Sequence, residues 1–263
     1  MKIVLFLILI FAVFLTQQDF PASLMEMNNP DYLMKNSGPW KQLENDYFKL
    51  FASIEIHDDS LVDSILIYQN ENRTHILKIL NIDPSEQSPK INLWIFNDDQ
   101  EKYLKTQVRS NAHCLAEYHS VYYNKDNAMG AHELGHYLVE TNWGPLKSDR
   151  FDMLISEGFA FLVDEGKFFN YDYYVLARDY IKNDNYLVCN ITEDSPGSYK
   201  KKAFVSAAFL KYLIRQFGID RFKDLWQTIR DDDGIFEQVY HKSFSQLETD
   251  FYNFLNEYKE RAF

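Results

Sequence analysis

Cysteine is scarce in this sequence: Cys114 and Cys189 are the only two in 263 residues. Two thiols can make one disulfide in an oxidising compartment or stay apart as unrelated buried groups, so a disulfide-dense scaffold is excluded. Positive charge is also short. Lys and Arg total 27 against 39 Asp and Glu, for a formal charge of -12 and a pI near 5.0. The resulting field repels phosphates, which excludes sequence-independent binding to nucleic acid or to an anionic lipid surface. Neither a glycine-rich phosphate loop nor a Ser or Cys nucleophile motif occurs, and no internal repeat or low-complexity tract is present.

Long hydrophobic runs are missing but for one. Met1 and Lys2 precede thirteen apolar residues, 3–15. That length matches the core of a secretory signal and falls short of the roughly 20 residues that span a bilayer. Residues 1–18 are therefore expected to be a signal peptide, placing the chain in a secreted or extracytoplasmic setting. Thr16-Gln-Gln-Asp19 offers no clean small-x-small cleavage site, so an uncleaved N-terminal anchor is the alternative and the one expected route to a membrane. No Cys follows the run, which excludes bacterial lipoprotein processing. Asn72-Arg-Thr74 and Asn190-Ile-Thr192 are sequons that matter only in a eukaryotic secretory pathway.

What the sequence does have is apolar mass, at 46% hydrophobic and 16% aromatic, enough for one large globular domain. Residues 19–89 read as an N-terminal helical lead-in. Trp40, Leu43, Tyr47 and Leu50 recur there at helical spacing, and residues 61–80 form a second periodic stretch interrupted by Gln69-Asn-Glu-Asn-Arg73. Asp83 to Pro89 is a turn-rich linker, and residues 90–263 form the main domain. Ile91 to Phe96 and residues 115–123 read as strands. Helices are expected over 127–141, 149–166, 172–182, 198–217 and 220–230, with a last one announced by the capping-box pattern Ser245-Gln-Leu-Glu248. The fold class is α+β: a small mixed β-sheet with an edge strand leading into a helix, then a mainly helical C-terminal half.

That helix carries His132-Glu-Leu-Gly-His136. Residues four apart on an α-helix project from one face, so both imidazoles can meet a single Zn2+. Glu133 lies about a third of a turn round from His132. It is poorly placed to ligate the same ion but close enough to take a proton from water bound to it. A catalytic zinc usually has a third protein ligand and an open position. Glu157 supplies the candidate, because it lies within the apolar run 154–162, where a buried carboxylate without a partner costs several kcal/mol. Asp152 and Asp164 could orient a bound imidazole, although the surface is the ordinary place for an Asp.

His-Glu-Leu-Gly-His followed some twenty residues later by Ser-Glu-Gly-Phe-Ala resembles the gluzincin superfamily of zinc metallopeptidases. The likeness is to its aminopeptidase-like branch and, more distantly, to thermolysin. The resemblance implies a zincin-like fold over residues 90–263, zinc held by His132, His136 and Glu157, Glu133 as catalytic base, and a peptide or protein as substrate. It also places Tyr199 where that branch carries an oxyanion-stabilising tyrosine, while a plain helix-start tyrosine explains the same residue. His241 is a second candidate for that job or a structural histidine. Three departures stand out: Ser156 replaces the usual Asn, Phe161 replaces an acidic residue, and no Gly-x-Met-Glu-Asn motif precedes the histidines. They leave endopeptidase beside exopeptidase, with a catalytically silent, zinc-bearing peptide-binding module as the alternative class. Tyr118, Tyr122 and Tyr123 fit either a cleft lining along the strand or sheet packing.

Overall fold

The computed structural model describes residues 29–85, 89–97, 112–164, 172–184, 187–192 and 197–259. The expected signal segment, residues 165–166 of the expected 149–166 helix, and residues 86–88 of the 83–89 linker lie outside them. Among the described residues no helix is long and apolar enough to cross a membrane.

The described residues open with helix α1 (Pro30–Asn36), started by the Asn29 side chain accepting the Asp31 amide. Strands β1 (Trp40–Glu44) and β2 (Phe48–Ser53) follow as an antiparallel hairpin. This corrects the helix expected across Trp40, Leu43, Tyr47 and Leu50. Asn45 Oδ1 accepts both the Tyr47 and Phe48 amides at 2.9 and 2.8 Å, a side-chain turn that reverses the chain where a helix would continue it. Helix α2 (Asp59–Ile79) then runs unbroken through the polar 69–73 stretch. Strands β3 (Ile91–Phe96), β4 (Ala112–Leu115) and β5 (Ser120–Asn124) complete one mixed sheet in the order β1-β2-β3-β5-β4. β2, β3 and β5 run parallel, and both outer pairs are antiparallel. The supposed lead-in thus shares a sheet with β3, Phe48 facing Ile91 in register.

The single strand expected over 115–123 is two. A tight turn at residues 116–119 separates them, with His119 left-handed at φ 47. β4 holds the edge, and it is the inner β5 that leads into helix α3 (His132–Trp143). Tyr122 and Tyr123 are buried, so packing accounts for them: Tyr122 joins Trp94, Phe96 and Leu33 on one face, and Tyr123 enters the main core on the other.

The C-terminal half is helical: a π-helical turn (Met153–Glu157) merging into α4 (Gly158–Val163), then α5 (Tyr173–Asp184), α6 (Tyr199–Phe217), α7 (Ile219–Thr228), α8 (Gly234–Tyr240) and α9 (Phe244–Glu257). α8 was not expected. The capping box of α9 is Ser243 with Gln246, two residues before the expected pair. Gly158 lets α4 lie on α6, since a Cβ there would stand 2.9 Å from Ser206 Cβ and 3.1 Å from the Ser206 carbonyl carbon. Gly135 does the same for α3, where a Cβ would meet Val163 Cγ2 at 2.7 Å. These approaches bring α3 and the Glu157 turn together. Cys114 and Cys189 are both free thiols. Asn72 is fully buried, which closes the first sequon in the folded chain.

Candidate metal centre

Three donors converge between α3 and the π-helical turn. His132 is the first residue of α3 and His136 lies one turn on, their rings 4.9 Å apart and nearly perpendicular. His132 Nε2 lies 3.4 Å from Glu157 Oε2, and His136 Nε2 lies 3.5 Å from Glu157 Oε1. One ligand atom from each residue falls within 4.8 Å of the others, a spacing that a single cation could bridge. Glu157 ends a turn wound wider than an α-helix, a local form often found at functional sites.

The donor chemistry fits a metal. Ser156 Oγ is 3.0 Å from His136 Nδ1. For Nε2 to offer its lone pair to an ion, Nδ1 must carry the proton and donate it to this hydroxyl, which holds the ring's direction and tautomer. Ser156 was visible in the sequence only as a departure from a family pattern. Its place next to the candidate ligand Glu157 on a helical turn is the clue to its role. Burial opposes charge on His136, but the Glu157 carboxylate beside it prevails and lifts its pKa to about 9. Burial likewise opposes charge on Glu157, and the two imidazoles overcome it, holding its carboxyl well below the usual range. A carboxylate so strongly held as an anion is suited to balance a cation.

Glu133 follows His132 on α3. Burial raises its carboxyl pKa, helped by Glu157 and Asp164 and opposed by the two imidazoles. A raised pKa makes it a stronger proton acceptor. Tyr199 opens α6, and its hydroxyl donates to Glu157 Oε2. It remains half exposed, so it stands at the rim of the site. Burial, then Glu157, push its pKa far up and keep the phenol protonated as a donor. Phe161 sits edge-on to His132, ring centroids 4.8 Å apart, and also reaches Tyr199 at 6.1 Å.

The remaining candidates are placed elsewhere. Asp152 is exposed. Asp164 is not a surface carboxylate, and it acts on His132 through its charge with no hydrogen bond to either imidazole. It is buried, and its Oδ1 accepts the Ala131 amide at 2.7 Å, capping the start of α3, where Ala131 has no capping side chain of its own. His241 ends α8 in a left-handed conformation at φ 57, exposed and outside the cluster. Sequence reasoning sees Gln69 and Asn72 only as a polar interruption, whereas they grip the turn before α3 from α2. The clue was in view, since a block of polar residues inside an apolar-periodic helix is costly unless it has buried partners.

No protein-family model matches the chain, and no curated protein matches it. What the site can do is read from its own atoms.

Proposed function

We propose that this chain is a zinc-dependent peptidase with a zincin-like fold, acting on peptide or protein substrates. The observation that carries the reading is the convergence of His132 Nε2, His136 Nε2 and one Glu157 carboxylate, with Glu133 next to His132 and outside the donor set. Two imidazoles and a carboxylate also suit iron(II). A spare carboxylate of raised pKa beside the donors favours hydrolysis, in which the attacking water must give up a proton, over an iron(II) oxygenase site, where O2 is activated at the metal.

His132, His136 and Glu157 would hold the ion, Ser156 fixing the His136 ring. Zinc bound there would acidify a water and polarise the scissile carbonyl. Glu133 takes the proton of the attacking water and returns it to the departing amine. Tyr199, a donor at the rim, hydrogen-bonds the oxyanion as it develops. The chain offers no nucleophilic side chain in this scheme, so no covalent acyl-enzyme forms.

Digestion of a mixed peptide pool with mass-spectrometric mapping of the cuts tests the reading. Zinc-dependent cleavage with a consistent register supports it and separates exo- from endopeptidase. Bound zinc with no cleavage of any peptide would instead support the binding-module alternative.

Two expectations follow from the site. Tyr199→Phe should keep zinc and fold but lower kcat by about 10²–10³ with KM little changed, the effect of losing one oxyanion donor. A variant with near-normal kcat removes Tyr199 from this role. Metal uptake should also depend on pH. His136 is protonated below about 9 in the metal-free chain, and an ion needs it neutral, so uptake expels a proton. Affinity should therefore climb by up to about tenfold per pH unit from neutrality towards 9 and then level off. Competition with a chelating dye at several pH values measures this, and a flat profile would mean that His136 is already neutral.

A further inference from the structure

The turn that delivers His132 is held by side chains from a distant helix. Gln69 Nε2 donates to the carbonyls of both Ala128 and Gly130, at 2.7 and 2.9 Å. Asn72 Nδ2 donates to the carbonyl between them, that of Met129, at 3.0 Å. The two residues are three apart on α2 and so share a face, and both are fully buried. Three consecutive carbonyls are thus pinned by two side chains whose sequence separations from the turn are 57 to 61 residues. From the other side, Asp164 takes the next amide, that of Ala131.

His132 comes directly after this grip. As the first helical residue it has no preceding helical turn to hold it, so the conformation of residues 128–131 decides where its ring points. Gln69 also does something that packing alone would not favour. Its Oε1 is buried with no hydrogen-bond partner among the described residues, a penalty that an apolar side chain of the same length would avoid. Keeping the amide makes sense if its two donor contacts are what the position is for.

We propose that Gln69, assisted by Asn72, is a positioning residue for the metal ligand His132, acting through the carbonyls of residues 128–130. The inference rests on the reading of His132, His136 and Glu157 as metal ligands. It makes α2 part of the support of the metal centre.

The test is a Co2+ titration of the full chain, followed by visible absorption, which reports ligand geometry as well as affinity. Wild type is compared with Gln69→Met, with Leu77→Ala in the core-facing part of the same helix, and with His132→Ala, each also melted thermally. Gln69→Met should bind Co2+ about ten times more weakly and with an altered band shape, the scale of effect seen when a partner behind a ligand is lost. Leu77→Ala should melt earlier yet keep the wild-type affinity and spectrum. The proposal is overturned if Gln69→Met matches wild type in both readouts, or if Leu77→Ala loses affinity as far at a similar melting temperature. Should Gln69→Met not fold, Asn72→Ser, which cannot reach the Met129 carbonyl, is read in the same way, and a wild-type spectrum there overturns the proposal. If wild type binds no Co2+, or His132→Ala binds as wild type does, it is the metal-site reading that fails, and the inference falls with it.

Discussion

Glu133→Gln is expected to abolish hydrolysis while leaving metal uptake intact. The substitution keeps the shape of the side chain and touches none of the three converging donors, so zinc content should stay stoichiometric. What is lost is the proton acceptor. Glutamine cannot take a proton from the attacking water, and positioned acid–base groups typically contribute 10²–10⁴-fold to rate. In the proposed mechanism one carboxylate serves both the attack and the departure of the amine, so a loss of kcat at or beyond the upper end, about 10⁴-fold or some 5 kcal/mol, is expected. The partial burial that raises the Glu133 pKa also means the amide enters a pocket already disposed towards a neutral group, so the fold should tolerate it. Steady-state kinetics with metal analysis of the same sample checks both halves. Loss of zinc along with activity would make Glu133 structural, and retained activity would remove it as the base.

Glu157→Ala should have the second large effect, on the metal itself. Removing it leaves two imidazoles from one helix, and a two-ligand site should hold zinc at least about ten times more weakly, since losing a direct ligand exceeds losing a group behind one. Its carboxylate also meets Nε2 of both histidines and receives the Tyr199 hydroxyl, so the truncation unties all three at once. Dialysis against a mild chelator, followed by metal analysis, gives the answer. Unchanged zinc content would reject Glu157 as the third ligand. Asp164 is a poor substitute because it is committed to the Ala131 amide, and Asp152 is exposed.

The metal-ligand candidates were legible because their logic is local. His132 and His136 lie one helical turn apart, and Glu157 stands out as a carboxylate in an apolar run. The supporting residues were harder to see. Gln69 and Asn72 looked like an interruption of a helix, whereas they are interior groups whose partners lie some sixty residues away. Ser156 shows its use only once His136 is beside it. The strands at Trp40 and Phe48 were missed because spacings of three and four residues between large apolar side chains suit a helix, and one Asn45 side chain outweighs that pattern. The α+β class, the mixed sheet and most C-terminal helices could be read from periodicity and breakers, as with α6, which runs from Tyr199 to Phe217 and stops at Gly218.

The parallel pairings of β2 with β3 and of β3 with β5 have a consequence in time. Neither can form as a hairpin. Phe48 must find Ile91, and Asn92 must find Ser120, before the sheet exists to receive α2 and the turn that α2 grips. Such distant pairings close large loops before any contact rewards them, which slows the search for the native topology. The histidine helix can wind early, because its hydrogen bonds are local, but its first residue is aimed only after the ends of these long loops have met. Competence to hold a metal ion should therefore arrive late in folding, and an ion that finds the nascent chain early meets two loosely directed imidazoles in place of a finished centre.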